Sequence, residues 1–485
     1  MAPAFCTANV WESFCDISRL ISLRVLCVPN IGVSLSSSIC YLKHLRLSQM
    51  PPHIGQITYL KTLTLFIVGE RRGCHLAELK GLNLGQELRV THLNRVGNLM
   101  DAQEANLVKK SNLRRLELSW ELDSESASQE KVEKVFEALQ PHSNLEILKI
   151  EELSTTSSLV ATSSALISYN YKFDSPGDGS ELFPCLTKLE IYDCPELTTL
   201  PCLPSTKSLV IHFGNGELLK SISHFRSLTC LRLHRNCDLV YLPHGILQNL
   251  SSLREMSITS FKKLKGVATD RVSLSGLKSL TIYECPNLEA FPEQVLEGLN
   301  SLQELTVGMC IKFSNLSEGL RHLSALEILN LDGCPELVTL PNGIKYLTSL
   351  RKLGIYGKPS LYFCDSYCPK LTVLLESIRY VPALQTLSIG SYPELASLPL
   401  WLGDLTSLKS LRIWKCPRLS SLPASIQSLT NLQKLFILEC PELVKKCEKE
   451  IGEDWYKIAH VLNVIVFKHR LDFDLLRAKN IAGMP

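Results

Sequence analysis

The feature that most constrains this chain is the phase of its leucines. Residues 325–341 read ALEILNLDGCPELVTLP. Leu326, Leu329 and Leu331 fall at offsets 0, 3 and 5, and Cys334 follows at offset 8. Leu329 and Leu331 alternate with Asn330 and Asp332, the period of a short strand with one buried face. One such segment buries almost nothing, so it needs copies of itself stacked on either side.

The copies are present. Leu186, Leu228, Leu253, Leu277, Leu302, Leu350, Leu384, Leu408 and Leu432 open lines of the same kind, most of them 24 or 25 residues apart. That spacing and the L-x-x-L-x-L core define leucine-rich repeats. The predicted fold is therefore an α/β leucine-rich-repeat solenoid, a horseshoe. A parallel β-sheet would line its concave face, and loops, 3-10 turns and short helices its convex face. Strands should centre on Leu189, Leu231, Leu280, Leu305, Leu329, Leu353, Leu387, Leu411 and Leu435. Many repeats close on Leu-Pro, as at Leu340-Pro341, Leu398-Pro399 and Leu422-Pro423. Proline lacks the ladder donor, so it starts the return to the convex side.

The rhythm divides the chain. Residues 1–153 read as N-terminal repeats with a degenerate start. Their strands lie near Leu23–Val28, Leu42–Leu47, Leu60–Leu65, Leu88–Leu93, Leu113–Leu118 and Leu145–Ile150. Two convex helices are expected, at Asp101–Lys110 and Gln129–Leu139. Residues 154–183, rich in Ser, Thr, Gly and Asp, read as a long loop. Residues 184–446 carry the cleaner repeats, with one lengthened by an insertion at Ser360–Pro382. Residues 447–485 read as a short cap at Cys447–Ile458 and a tail without pattern.

Composition narrows the function. With 51 basic against 48 acidic residues the charge is near balance, so neither nucleic acid nor an anionic membrane is indicated as a partner. Eighteen cysteines could signal disulfides. However, Cys194, Cys285, Cys310, Cys334, Cys416 and Cys440 all take offset 8, where Asn236 stands in its own repeat. They read as inward-facing thiols bonded to the turn backbone. Cys364 and Cys368 read as loop residues rather than half of a zinc site. The N-terminus has no basic segment followed by a long apolar run, and no apolar run reaches membrane-spanning length. Reduced thiols and no export signal predict a cytoplasmic protein.

Several stretches resemble the plant intracellular nucleotide-binding leucine-rich-repeat disease-resistance proteins of the coiled-coil class. The most specific is ELKGLNLGQELRVTHLNRVGNLMDAQEANLVKKSNLRRLELSW, residues 78–120. CEKEIGEDWYKIAHV, residues 447–461, resembles the family's closing segment, with Tyr456 where proline is usual. Leu422-Pro-Ala-Ser-Ile426 matches the L-P-x-x-I of cytosolic plant repeats. The resemblance covers roughly residues 20–465. It implies a recognition module of innate immunity. The family's coiled coil and nucleotide switch are not in this sequence, which reads as a truncated member or gene fragment. No G-x-x-x-x-G-K-[ST] occurs, so no nucleotide cofactor is expected.

HExxH, GxSxG and GxGxxG are likewise missing, and an enzyme is not expected. The positive signal lies between the core leucines. Offset 6 gives Tyr192, His212, His234, Tyr283, Tyr356 and Trp414, and offset 4 gives Arg232 and Arg412 among others. Aromatic and arginine side chains anchor protein interfaces, although β propensity alone also places aromatics on strands. These eight residues are the candidate protein-binding face. The expected ligand is a pathogen effector or the host protein it modifies. The alternative is an autonomous adaptor or decoy acting in trans on such a receptor, through its nucleotide-binding domain, or on another complex.

Overall fold

A computed structural model describes residues 25–26, 50, 52–120, 134–135, 138–151, 183–194, 197–200, 202–236, 238–243, 245–247, 249–267, 274–337, 339–357 and 376–468. The chain divides into two compact units, Met1–Thr229 and Cys230–Pro485.

The first unit contains strands β1 (Val25–Leu26), β2 (Thr62–Leu63), β3 (Leu65–Ile67), β4 (Gln86–Thr91), β5 (Leu113–Ser119), β6 (Ile147–Glu151), β7 (Lys188–Tyr192) and β8 (Ser208–His212). β1 pairs with β2, and β3 to β8 pair in chain order, all parallel. The expected strand at 42–47 and the loop at 154–183, apart from Phe183, lie outside the described residues.

The second unit contains β9 (Cys230–His234), β10 (Glu255–Thr259), β11 (Ser279–Tyr283), β12 (Glu304–Gly308), β13 (Ile328–Asp332), β14 (Lys352–Tyr356), β15 (Thr386–Gly390), β16 (Ser410–Trp414), β17 (Lys434–Leu438) and β18 (Asn463–Phe467). Consecutive strands again pair in parallel, with Leu280, Leu305, Leu329, Leu353, Leu387, Leu411 and Leu435 in one register row. All seven are buried. The leucine-rich-repeat solenoid predicted from the spacing is the fold observed.

The repeated turn after each strand has a backbone signature. The offset-7 residues Asp193, Phe213, Arg235, Ser260, Glu284, Met309, Gly333, Ser391, Lys415 and Glu439 all have φ between 52° and 61°. Only one of these is glycine, so the repeat holds ordinary residues in the left-handed region. The turn carries the ladder one bond further. Glu284 N–H donates to the Gly308 carbonyl, Met309 N–H to Asp332, and Lys415 N–H to Leu438, at 2.7–2.9 Å. The offset-8 thiols then turn inward. Cys194, Cys285, Cys310, Cys334, Cys416 and Cys440 are buried, and none of them forms a disulfide. Cys310 Sγ donates to the Gly308 carbonyl at 3.2 Å. In its own repeat, buried Asn236 accepts from the N–H groups of Asp238 and Leu239 at 3.0 and 2.9 Å.

On the return side, Pro341, Pro399 and Pro423 are extended and start the 3-10 turns Asn342–Tyr346, Leu400–Asp404 and Ala424–Ser428. The helix expected at Asp101–Lys110 is shorter and earlier. α1 runs Leu99–Glu104, because Asn98 caps it through Met100 N–H. Asn106, with φ 54°, then breaks the chain into a separate 3-10 turn, Leu107–Lys109. Of the helix expected at 129–139, residues 134–135 and 138–139 are helical and the others lie outside the described residues. So do Cys364 and Cys368. Glu376–Tyr380, at the end of the expected insertion, forms a 3-10 turn. Further short helices are α2 (Gly216–Lys220), α3 (Glu293–Glu297), α4 (Pro441–Lys446) and α5 (Trp455–Ile458).

The C-terminal segment corrects the expectation most. The repeat pattern ends near Leu443, yet β18 adds a further parallel strand beyond β17. The residues between hold it there. Asp454 Oδ2 accepts from Leu422 N–H at 2.8 Å and Ser421 Oγ at 2.9 Å. Lys457 Nζ donates to the Leu422 carbonyl at 2.7 Å and to Asp454 Oδ1 at 2.6 Å. Burial pushes the Asp454 carboxyl up, but its bonds from Lys457, Leu422 and Ser421 outweigh that and hold it below the usual carboxylate range. The segment that resembles the family's closing sequence is thus a polar clamp on the last Leu-Pro turn.

Candidate binding face of the sheet

Alternation along each strand sends offsets 3 and 5 into the core and offsets 4 and 6 onto the open face. Parallel pairing then lines up equal offsets across neighbouring strands, so each offset becomes a row. The rows of the two units differ in chemistry.

In the first unit the offset-4 row reads Arg89, Glu117, Lys149 and Glu190, paired in register. The sign alternates at every step. Opposite charges on adjacent strands attract at this spacing. Arg89 reaches Glu117 at 3.7 Å and Glu151 at 3.1 Å. Arg115 donates to Glu117 Oε1 at 2.6 Å and lies 3.8 Å from Glu87. Lys149 pairs with Glu151, and Lys188 with Glu190 at 2.5 Å. Glu117, the hub, is only 6% exposed. At the end of this lattice Tyr192 and His212 stack with ring centroids 4.3 Å apart, and Lys149 Nζ sits 4.8 Å from the Tyr192 ring centre.

In the second unit the open face is mostly uncharged. Arg232 and His234 stand on β9. Arg232 makes a long, exposed pair with Glu255 at 3.9 Å, a contact of little energetic weight. Burial, then the positive charges of Arg232 and Arg235, push the His234 imidazole below its usual range. Further along, the offset-6 row reads Tyr283, Gly308, Asp332, Tyr356, Gly390 and Trp414 across β11 to β16.

The two glycines explain the shape of that row. A Cβ on Gly308 would lie 2.3 Å from the Tyr283 ring, and one on Gly390 2.2 Å from the Trp414 ring. Tyr283 therefore lies across Gly308 towards Asp332, and its hydroxyl is 3.5 Å from Asp332 Oδ2. Trp414 lies across Gly390 onto Tyr356, with centroids 4.9 Å apart and ring planes at 38°. Gly354 on β14 opens room for the Tyr356 hydroxyl in the same way. Asp332 ends up between Tyr283 and the Tyr356–Trp414 pair. Burial pushes its carboxyl up to about 6, against 3.8 ordinarily, with the Tyr283 hydroxyl pulling the other way. Its Oδ1 is buried with no hydrogen-bond partner.

Of the eight candidates, the structure brings Tyr192 and His212 together, and Tyr356 and Trp414. Tyr283 is tied to the latter pair only through Asp332, and Arg412 is exposed on the same face of β16. Sequence reasoning missed Asp332, the glycines and the charge lattice. They show only when neighbouring strands are set side by side in register, since each is a relation between repeats.

The return side has one cluster that no motif announces. Glu293, Glu297 and His322 bring potential ligand atoms within 4.8 Å of one another. Arg321 already donates to Glu293 Oε1 at 2.7 Å, so the cluster is an ion-paired surface patch.

Fold and face define a leucine-rich-repeat protein. Residues 76–213 match the family described as R13L1/DRL21 leucine-rich repeats. The chain is 34% identical over 283 residues to putative disease resistance protein RGA1 of Solanum bulbocastanum, covering 46% of this chain and 28% of that protein. It is 37% identical over 268 residues to disease resistance protein RGA2 of the same species, covering 45% and 27%. The repeats are thus similar to those of plant disease-resistance proteins, and the chain spans less than a third of the length of these relatives. The fold alone is also shared with a chain of the Toll–Spatzle complex of Drosophila. That match has a TM-score of 0.55 and 18% identity, covering 80% of this chain and 49% of that one. Among the described residues no helix is long and apolar enough to cross a membrane.

Proposed function

We propose that this chain is a non-enzymatic protein-recognition module of plant defence, acting in the cytoplasm on a pathogen effector or on a host protein that an effector has modified. The observation that carries the reading is the division of labour within each repeat. Leucines, with isoleucines and valines mostly at offset 5, fill the core at offsets 3 and 5, while offsets 4 and 6 vary in charge and size on a rigid face. A preorganised face lowers the ordering cost of binding, and the Tyr356–Trp414 pair and Arg412 are of the types that dominate interface energies. The similarity to named resistance proteins supports the biological setting. The buried offset-8 cysteines, none of them in a disulfide, support a reducing compartment.

The test starts from a two-hybrid screen of secreted pathogen proteins, each positive being remeasured with purified proteins. The double variant Arg412→Ala, Trp414→Ala should weaken binding by tenfold or more, the scale of a central anchor worth about 2 kcal/mol. Tyr346→Ala on the return side, where the ring is 55% exposed, should leave it unchanged. The opposite pattern would show that recognition uses the return side.

A further inference from the structure

We propose that the Tyr283–Asp332–Tyr356–Trp414 row is a receptor for one arginine side chain of the protein ligand, its guanidinium taken by the Asp332 carboxylate and flanked by the three rings. This rests on the protein-recognition reading above and adds the chemistry of one anchor to it.

The isolated chain gains one long hydrogen bond from Asp332 and no ion pair among the described residues. Buried polar atoms normally find a partner. Here Oδ1 has none, Oδ2 has one long contact to Tyr283, and no cation pairs with the carboxylate among the described residues. The register partners of Asp332 on the neighbouring strands are Gly308 and Tyr356, neither of them a cation. Across β4 to β7, by contrast, every carboxylate of the offset-4 row has a basic neighbour in register. The uncompensated carboxylate of β13 therefore departs from a rule this same chain follows elsewhere.

The neighbours then specify the missing cation. A guanidinium is planar, stacks on aromatic faces, and offers two parallel N–H groups to a carboxylate. Tyr283 and Trp414 are tilted inward over glycines on either side of Asp332, which leaves ring surface beside the acid. An ammonium would use the charge but not the plane. Among charged and titratable groups around Asp332, Tyr283 and Tyr356 flank it, Cys334 follows in the turn after β13, and buried Tyr392 lies within electrostatic reach. Arg412 adds positive charge near Tyr356. Burial pushes the Cys334 thiol up to about 12 and raises both Tyr356 and Tyr392, so none of these shifted groups titrates with the acid between pH 5 and 7.

The probe is N-acetyl-arginine methylamide, titrated into the full chain and followed by saturation-transfer NMR and tryptophan fluorescence. The neutral citrulline and the lysine analogues serve as controls. The arginine compound should bind saturably in the millimolar range, and the other two at least tenfold more weakly. Asp332→Asn and Trp414→Ala, with circular dichroism unchanged, should each cost fivefold or more. Affinity for the arginine compound should fall as pH is lowered from 7 to 5. Equal binding of citrulline, or full binding by Asp332→Asn, overturns the carboxylate's role, and equal binding of lysine overturns the assignment to arginine. The two proposals separate with a protein partner. One that loses affinity with Arg412→Ala, Trp414→Ala but ignores Asp332→Asn leaves protein recognition standing and overturns this anchor. One indifferent to both variants removes both.

Discussion

The two units solve the same core problem and then finish their open faces in opposite ways. In the first, charge is answered locally. Arg89, Glu117, Lys149 and Glu190 alternate in register, and Arg115, Lys188, Glu87 and Glu151 complete the lattice. In the second, the row from Tyr283 to Trp414 carries aromatic rings, glycines and one acid without a counter-charge. A face that satisfies itself has little to gain from a partner, because binding must first break pairs already made. A face with an unsatisfied carboxylate and exposed ring surface can gain from contact. The difference locates interaction chemistry more sharply than the count of aromatic residues does.

The comparison presumes equivalent cores, and the largest expected effect tests that. Leu118→Ala in β5 and Leu329→Ala in β13 both empty a fully buried site. Each should destabilise its unit by about 2–5 kcal/mol, the cost of lost burial plus the cavity left behind. Urea melts read by far-ultraviolet circular dichroism would measure it. A loss well under 1 kcal/mol at one site only would mean that its layer collapses around the gap, and the cores would no longer be equivalent.

Removing a carboxylate should have opposite signs in the two units. Glu117→Gln removes the buried charge shared by Arg89 and Arg115, leaving them only Glu151 and Glu87, and should cost about 1–3 kcal/mol. Asp332→Asn removes a carboxylate that burial holds at about 6 instead of 3.8. The folded state binds this proton more tightly than the unfolded state does. Above the folded value the acid therefore costs stability, and the cost disappears as pH falls through 6 towards 3.8. Asp332→Asn should stabilise at pH 7 by up to roughly 3 kcal/mol, less what water at the partly open site screens. The advantage should shrink steadily down to pH 4. Thermal melts of wild type and both variants at pH 7 and pH 4 would show it. Destabilisation by Asp332→Asn at pH 7 would mean that the acid has an internal role, and the contrast between the faces would fail.

How much of this was legible in the sequence follows from what each position must do. The strand centres were legible because packing allows only leucine-like residues at offsets 3 and 5, and repetition at 24 or 25 residues makes the phase unmistakable. The thiol column was legible for the same reason. β18 was not, since Val464 and Val466 replace leucines on a terminal strand whose residues are all at least partly exposed. The charge lattice and the glycine row were hidden for another reason. Gly308 and Gly390 matter only because a neighbour's ring lies over each, which is a relation between repeats rather than a pattern within one. Asp332 is unremarkable in its own repeat and becomes informative only beside Tyr283 and Tyr356.

The offset-7 turn gives the smallest and finest test, because it is common to both units: Asp193 and Phe213 in the first, Ser260 to Glu439 in the second. Its side chains are so varied that no sequence signal marks it, yet φ lies between 52° and 61° at the ten positions from Asp193 to Glu439 named above. For an L-residue that region costs roughly 1–2 kcal/mol, whereas glycine enters it freely but loses more chain entropy on folding, about 0.5–1 kcal/mol. The two terms nearly cancel, which explains why glycine holds only two of the nine places, Gly333 and Gly357, in the second unit's run from Arg235 to Glu439. Two substitutions follow. Gly333→Ala should destabilise by about 1 kcal/mol, since alanine meets the strain at φ 61° without relieving anything. Met309→Gly should stabilise by a few tenths of a kcal/mol, provided the methionine side chain contributes little packing at its partly exposed site. Chemical denaturation of both variants resolves these differences. If Met309→Gly is instead destabilising by 1 kcal/mol or more, the turn is held by its side chains and not by the ladder bond from Met309 N–H to the Asp332 carbonyl, and the two units would share less of their backbone logic than their φ values imply.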